Sequence, residues 1–187
     1  MSGILVVAAT PLELVAAAGW RTLVCGVGPV EAASATAAAI AQAAPRAVLH
    51  VGIAGSRRRP ALVPPQLVIG TEARYMDLAP DQRFVAPVLL PDARLLAAAR
   101  EALPDAVAAP IGTSARVGGT SGCDVEAMEG YAVLRAAERA GIPAIEVRAI
   151  SNEIDETDRT RWQFEAAFAA ITTATSRLVP ILARCVS

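Results

Sequence analysis

The chain has no lysine, and every basic side chain belongs to an arginine or to a single histidine. Without lysine there is no side-chain amine for a Schiff base and no phosphate-binding lysine of a P-loop. The histidine, His50, lies inside the apolar run 47–51, which favours a buried core or strand-end position. A Ser-His-Asp triad would have to use that one residue. Carboxylates, amides, hydroxyls, arginine and backbone dipoles remain for chemistry.

Cysteine is also scarce. Cys25, Cys123 and Cys185 are widely spaced and follow no metal-binding pattern, so we expect free thiols in a reducing cytoplasm and no metal site. The net charge of −1 supplies no basic field for nucleic acid or an anionic membrane. The arginine cluster 57–59 is interpreted as a solvated loop. No clean apolar run reaches the ~20 residues of a membrane span, and no arginine precedes Arg21 to form the basic start of a signal peptide.

What the chain does have is an alternation of short apolar runs and helical segments. The run 3–9 is typical of a strand buried on both faces, further strands are predicted at 21–27 and 46–51, and an Ala-rich helix is predicted for 29–44. This β-α-β-α-β opening implies a parallel sheet covered by helices. The length favours a single domain over 1–187. Further strands are predicted at 66–73, 107–117 and 143–150, helices at 92–103, 125–140 and 162–184, and loops at 75–85, 118–122 and 151–161.

Polar residues and glycines recur at one edge of the predicted sheet, the carboxyl ends of the strands, where open α/β folds bind ligands. Glu13 follows the first strand, Gly52 and Gly55 close the third, and Asn152 follows the last. Glu129 lies near the start of the helix before that last strand. Each has an ordinary structural explanation, since glutamates favour helix N-termini and asparagine suits an Asx turn. Their recurrence at one edge nevertheless predicts a cleft.

Segments along nearly the whole chain, in the right order, resemble the purine nucleoside phosphorylase and nucleosidase superfamily. They are 9–13 (ATPLE), 26–33 (GVGPVEAA), 52–55 (GIAG), 125–130 (VEAMEG) and 147–152 (VRAISN). The resemblance implies an α/β fold of three αβα layers with a mostly parallel central mixed sheet. Within the superfamily, the segments that resemble the futalosine hydrolases are 71–78, 126–133, and 151–152 followed by 158–162.

The resemblance also implies roles for residues of this chain. Glu13 and Asn152 are the expected catalytic residues, with Glu13 deprotonating the attacking water and Asn152 facing the departing base. Glu129 would hold the ribose hydroxyls and Met128 would pack against the sugar, while Asp155 is a candidate proton source. The other expected substrate-binding residues are Ile53, Ala54, Gly55, Ala127 and Ser151, with Trp162 or Phe164 as a lid over the purine.

Asn152 determines the expected substrate. Methylthioadenosine nucleosidases are expected to carry an aspartate there, which protonates N7 of adenine. An amide donates and accepts at once, so it suits the O6 and N7 edge of a 6-oxopurine such as the hypoxanthine of futalosine. The resemblance implies a homodimer or larger oligomer and needs no cofactor or metal. A phosphorylase, a methylthioadenosine-type nucleosidase and an inactive nucleoside-binding homologue stay open, the last because the segment between Gly55 and Ala127 is short for the family.

Overall fold

The computed structural model describes residues 3–15, 20–57, 62–78, 85–119 and 122–186. The loops predicted at 57–59, 75–85 and 118–122 therefore lie partly outside the described residues. The strands are β1 (Ile4–Ala8), β2 (Arg21–Val24), β3 (Ala47–Ser56), β4 (Leu67–Tyr75), β5 (Val88–Leu89), β6 (Val107–Thr113), β7 (Val125–Ala127) and β8 (Ala144–Glu153). The helices are α1 (Pro29–Ala43), α2 (Ala93–Ala102), α3 (Gly130–Arg139) and α4 (Phe164–Cys185), with 3-10 turns at Pro11–Glu13 and Arg159–Arg161.

The strands join in one mixed sheet. β1 is parallel to β2 and to β3, and β3 is parallel to β8. β8 is antiparallel to β4, β4 is parallel to β6, and β6 is parallel to β7, which returns antiparallel to β3. The strands β3, β8, β4, β6 and β7 therefore form a closed ring of pairings. Most pairings are parallel, as the sequence predicts.

Helices cover the sheet on both faces, and β1 shows why. Its side chains alternate, so that Ile4 and Val6 join a core with α2 and α4, while Leu5 and Val7 join a second core with α1 and α3. A strand buried on both faces must be apolar throughout, which is the pattern of 3–9. The three-layer αβα prediction is confirmed.

α4 is long and apolar enough, by length and composition alone, to cross a membrane. Its buried residues recur every three or four positions, as on one face of a helix. That face packs into the core shared with β3 and β8. The apolar residues on that face of α4 are therefore accounted for by core packing. The buried positions include Ala167, Ile171, Ala174, Leu178 and Leu182.

The helix predicted for 125–140 is wrong in its first residues. Val125–Ala127 is strand β7, which pairs with both β3 and β6, and α3 begins only at Gly130. A short apolar run does not distinguish strand from helix by its periodicity, and here the pairing with two neighbours decides. Met128 and Glu129 consequently lie in the tight connection from β7 to α3, at the carboxyl end of the strand.

Two of the strands that run further than predicted carry residues of the predicted cleft. β3 continues through Gly52–Gly55 to Ser56, and β8 continues through Ser151 and Asn152 to Glu153. The two extensions pair with each other from Gly52↔Arg148 to Ser56↔Glu153, with an irregularity at Ala54 and Gly55. Partner strands outweigh the low strand propensity of glycine and asparagine. The polar residues predicted for loops are thus held on the sheet itself.

Candidate active site

A cavity of about 370 Å³ opens at the carboxyl ends of β1, β3, β7 and β8. That volume lies within the range of small-molecule sites. The cavity brings together residues from both ends of the chain, and the roles expected of them stay predictions. The residues singled out from the sequence that line it are Glu13, Ile53, Ala54, Gly55, Ala127, Met128, Glu129, Ser151, Asn152, Trp162 and Phe164.

Glu13 is buried at the end of the 3-10 turn that follows β1. Its Oε2 accepts hydrogen bonds from the backbone N–H and the hydroxyl of Thr10, both at 2.9 Å, and its Oε1 accepts from the N–H of Ile53 at 3.0 Å. A carboxylate offers about four acceptor positions. Three are used, so one remains on Oε1, and Glu13 is among the residues that line the cavity. The arrangement fixes Glu13 and leaves it able to bind a water molecule.

Glu129 is the residue before α3 and is also buried. Its Oε1 accepts a hydrogen bond from the N–H of Gly28 at 3.1 Å, and its Oε2 accepts from Nη2 of Arg148 at 3.3 Å. The pairing is internal, not a surface ion pair. Each oxygen keeps an acceptor position, so the carboxylate can receive hydrogen bonds from the hydroxyls of a sugar.

Arg148, on β8, connects the acidic groups of the cavity. It is fully buried, and its Nε donates to Oε1 of Glu146 at 2.8 Å. Its Nη1 donates to the carbonyl oxygen of Ile53 at 3.3 Å, and its Nη2 contacts both ring nitrogens of His50 at 3.2 and 3.3 Å. A buried charge needs partners of this kind. The guanidinium therefore forms a buried part of the cavity wall, held on several sides.

The charges around Arg148 change the pKa values of its neighbours. Burial, and next the charge of Arg148, lower the pKa of His50 well below its ordinary 6.5. Burial raises the pKa of Glu146 although Arg148 opposes this, and Glu129 raises it further. Burial opposes the charge of Arg148 itself, but Glu146, Glu129 and Glu13 outweigh burial and raise its pKa. His50 is thus a neutral core histidine that contacts Arg148.

Asn152 lies in β8 with its side-chain amide oriented by two neighbours. Its Oδ1 accepts from the hydroxyl of Ser151 at 2.8 Å, and its Nδ2 donates to the carbonyl oxygen of Glu153 at 2.8 Å. These two bonds assign the oxygen and the nitrogen, because the hydroxyl donates to one and the carbonyl accepts from the other. One N–H and one acceptor position remain, and the N–H can donate to the O6 or N7 acceptor of a 6-oxopurine.

Aromatic side chains form another wall of the cavity. The ring of Phe164 lies 5.4 Å from that of Trp162 and 6.0 Å from that of Phe168, centroid to centroid. The guanidinium of Arg159 lies 5.6 Å from the centroid of Trp162. Asp155, the candidate proton source, is exposed and does not line the cavity. The aromatic wall therefore comes from Trp162 and the first turns of α4, and Asp155 places no acid in the cavity.

No thiol or metal site competes with this arrangement in the described residues. The three cysteines are free, with Cys25 and Cys123 buried and Cys185 partly buried. Burial, and next the charge of Glu129, raise the pKa of Cys25 to about 11, so its thiol stays protonated. Among the described residues, no three His, Cys, Asp or Glu side chains are grouped to hold a metal ion.

The family model of the phosphorylase superfamily matches residues 21–187. The chain belongs to this superfamily. The futalosine hydrolase of Streptomyces coelicolor is 35% identical over 190 residues, covering 88% of this chain and 80% of the relative. The chain is thus a homologue of an enzyme that hydrolyses an N-glycosidic bond. Glu13 precedes the range that the family model matches, so the structure is what relates it to the rest of the site.

Solved structures of the superfamily share the fold at low identity. The futalosine hydrolase of Helicobacter pylori superposes with a TM-score of 0.82 at 16% identity, covering 97% of each chain. The 5'-methylthioadenosine/S-adenosylhomocysteine nucleosidase of Colwellia psychrerythraea, in complex with adenine, also gives 0.82, at 19% identity over 98% of this chain and 95% of its own. The superfamily fold predicted from the sequence is confirmed.

Several residues that line the cavity are not predicted from the sequence. Arg148 is the most important, and Arg159 and Phe168 are others. The sequence does contain a signal for Arg148. In a strand buried on both faces, neither Glu146 nor Arg148, which lies two residues further on, can place its charge in solvent. Side chains two apart share one face of a strand, so the two charges are placed to pair.

A β-carbon at Gly52 should disable the site. It would lie well inside 3.0 Å of Nη1 of Arg148 and 2.8 Å from Oε1 of Glu13. In Gly52→Ala both groups must move, so we expect turnover to fall by more than about 100-fold and the free energy of unfolding by about 1–3 kcal/mol. The control is Gly70→Ala on β4, whose β-carbon meets nothing closer than 3.3 Å. Turnover of Gly52→Ala similar to that of Gly70→Ala would contradict this prediction.

Acid should destabilise the fold through His50. The native pKa lies well below the 6.5 expected on unfolding, so below pH 6.5 the unfolded chain binds a proton that the native chain does not. The stabilisation is present above pH 6.5 and is lost as pH falls, by up to about 2 kcal/mol at pH 5. Glu146 acts oppositely, because its raised pKa stabilises the native chain at low pH and this contribution is lost as pH rises.

Urea unfolding of wild type and of His50→Gln between pH 5 and 7 separates the two effects. The difference in unfolding free energy between the variants should change with pH, because only the wild type carries the histidine. A constant difference would show that His50 does not titrate on unfolding.

Proposed function

We propose that this chain hydrolyses the N-glycosidic bond of a 6-oxopurine nucleoside, most specifically futalosine, to hypoxanthine and dehypoxanthine futalosine. The observation that carries the proposal is that Glu13, Glu129 and Asn152 line one cavity although they lie far apart in sequence. The identity of 35% to a futalosine hydrolase supports the choice of substrate.

Bond cleavage would proceed through a sugar with oxocarbenium character, as in other glycoside hydrolysis. A water bound to the remaining acceptor position of Glu13 would attack C1′ and pass its proton to that carboxylate. Glu129 would accept hydrogen bonds from the ribose hydroxyls and place negative charge near the cationic sugar. Met128 would pack against the sugar, and the remaining expected residues, from Ile53 to Phe164, would enclose the nucleoside.

The electron pair of the breaking bond would leave with the purine. The free N–H of Asn152 would donate to its O6 and N7 edge and so stabilise the departing base. An amide cannot transfer a proton to the base, and Asp155 is exposed. The base would therefore take its proton from water. A 6-oxopurine suits this route because its O6 can delocalise the negative charge of the departing anion.

Arg148 argues for hydrolysis over phosphorolysis. A phosphorylase needs cationic groups to bind phosphate, and Arg148 already pairs with Glu146 and Glu129. The second arginine on the cavity wall, Arg159, contacts the ring of Trp162. Glu13 adds a carboxylate that would repel an anion. Hydrolysis therefore fits the charge of this cavity better.

A methylthioadenosine-type nucleosidase is the second candidate, because solved structures of such enzymes share the fold over almost the whole chain. The two candidates differ in the base, and Asn152 favours the 6-oxopurine. We also propose that the protein is cytoplasmic and acts as a homodimer or larger assembly. Light scattering on the purified protein tests the assembly directly.

The deciding experiment incubates the purified protein with futalosine in phosphate-free buffer and follows hypoxanthine by chromatography. Parallel reactions contain methylthioadenosine, or futalosine with added phosphate. Hypoxanthine release independent of phosphate supports the proposal. Release only with phosphate identifies a phosphorylase, and adenine release alone identifies the second candidate. Nucleoside binding without release of either base would identify an inactive homologue.

A further inference from the structure

Glu146 is the buried acid of this cluster for which the proposed reaction has no use. It lies on β8 behind the cavity wall, and it is not among the residues that line the cavity. Its Oε1 accepts from Nε of Arg148 at 2.8 Å. Its Oε2 has no hydrogen-bond partner among the described residues. A carboxyl group in this state is costly to bury, so a functional reason for it is worth seeking.

The contacts of Glu146 lead to the reacting groups through Arg148. Nε of the guanidinium is held by Glu146, while Nη2 of the same planar group donates to Glu129 and Nη1 faces Gly52 beside Glu13. Because a guanidinium is rigid and planar, fixing Nε fixes the direction of both other nitrogens. A shift of Glu146 is therefore carried to the carboxylate that would hold the ribose.

The carboxyl group of Glu146 fits in its position because residue 130 is a glycine. Gly130 is the first residue of α3, directly after Glu129, and a β-carbon there would lie well inside 3.0 Å of both carboxyl oxygens of Glu146. The φ of Gly130 lies outside the left-handed region, so its backbone accepts alanine. Glycine at this position leaves the space in which the carboxyl group of Glu146 lies.

We propose that Glu146, in the space left by Gly130, is a positioning residue that aims Arg148 at Glu129 and so sets the geometry of the ribose site. The inference rests on the proposed function. It concerns how the site is held, and the chemical steps at the sugar are unchanged. It makes one specific demand, that Gly130→Ala should act on turnover only by displacing Glu146.

A double-mutant cycle of Gly130→Ala with Glu146→Ala tests that demand. Each single variant should lower kcat for the released base by about 10- to 100-fold, since misplacement by about 1 Å has effects of that size. In the Glu146→Ala background, Gly130→Ala should change kcat less than about threefold, because the displaced group is gone. The exposed Glu138→Gln on α3 is the matched charge control and should retain wild-type kcat.

Hypoxanthine binding separates positioning from general damage. The base would face Asn152, whose side-chain hydrogen bonds go to Ser151 and Glu153. Calorimetric affinity for hypoxanthine should therefore stay within about threefold of wild type in both single variants, while kcat falls. If Glu146→Ala does not fold, Glu146→Asp replaces it, because its shorter side chain leaves room for the β-carbon and should reduce the effect of Gly130→Ala.

Wild-type kcat in folded Gly130→Ala would overturn the inference. Equal losses from Gly130→Ala with and without the Glu146 substitution would also overturn it, because the effect would then bypass Glu146. Both outcomes leave the proposed function standing, since the wild type still releases hypoxanthine. A wild-type protein that releases no base would instead overturn the proposed function and this inference with it.

Discussion

Glu13→Gln should reduce turnover by about 10²- to 10⁴-fold, the contribution of a positioned general base. The three groups that contact the Glu13 carboxylate are Ile53 N–H and the N–H and hydroxyl of Thr10. An amide has one oxygen, so its nitrogen must face at least one of these donors or the water. The variant therefore loses the base and misorients the nucleophile together.

Glu31→Gln is the matched control, because Glu31 is an exposed glutamate in the first turn of α1. It makes the same chemical change near a helix N-terminus without touching the cavity. Hypoxanthine affinity and the thermal midpoint should show that Glu13→Gln is folded and binds the base. Glu13→Gln with more than about a tenth of wild-type kcat would remove Glu13 from the role of base, since that role implies at least a 10²-fold loss.

Asn152→Asp should shift the preference from 6-oxopurine towards 6-aminopurine nucleosides. The ratio of kcat/KM for the two classes should change by at least about 10²-fold, since a wrong donor pattern leaves buried groups unpaired. In this variant a carboxyl oxygen replaces the Nδ2 that donates to the carbonyl of Glu153 at 2.8 Å. A carboxyl oxygen cannot replace that donor, so we expect the carboxyl group to turn away from the Glu153 carbonyl, and in its protonated form its one O–H can protonate N7 of adenine.

The Asn152→Ala variant distinguishes a change in substrate selectivity from a general loss of activity. It removes the donor and the acceptor together, so activity on both classes should fall with little change in their ratio. The measurement is kcat/KM with futalosine and with methylthioadenosine for all three proteins. An unchanged ratio in Asn152→Asp would mean that another group reads the O6 edge, and the choice of a 6-oxopurine would lose its basis.

The sequence predicts the layers of the fold better than the ends of its strands. The run 3–9 is apolar at every position because β1 is buried on both faces, and such a pattern has few other interpretations. The sequence predicts helix for the residues of β7, because three residues are too few to show a period. Only their pairing with β3 and β6 defines them as a strand. Local sequence does not contain that information.

Some residues of the candidate site could be predicted from the sequence and others could not. The acids Glu13 and Glu129 and the amide Asn152 could be predicted, because they follow strands whose carboxyl ends meet at one edge. Arg148 was missed as a site residue because it lies within a strand, where position along the chain indicates a core. Its function in the site depends on contacts with His50 on β3 and Glu129 before α3, which only the folded chain brings together.

The closed ring of β3, β8, β4, β6 and β7 has a consequence for how such a site can change over time. Arg148 and Asn152 lie on β8 and the Gly52–Gly55 segment lies on β3, and each of these strands pairs with strands on both sides. The exposed apolar side chains at the mouth, Leu12, Val27 and Val117, lie outside these strands. Substitutions of these apolar side chains can therefore change which substrates fit, while the polar groups on the strands keep their spacing.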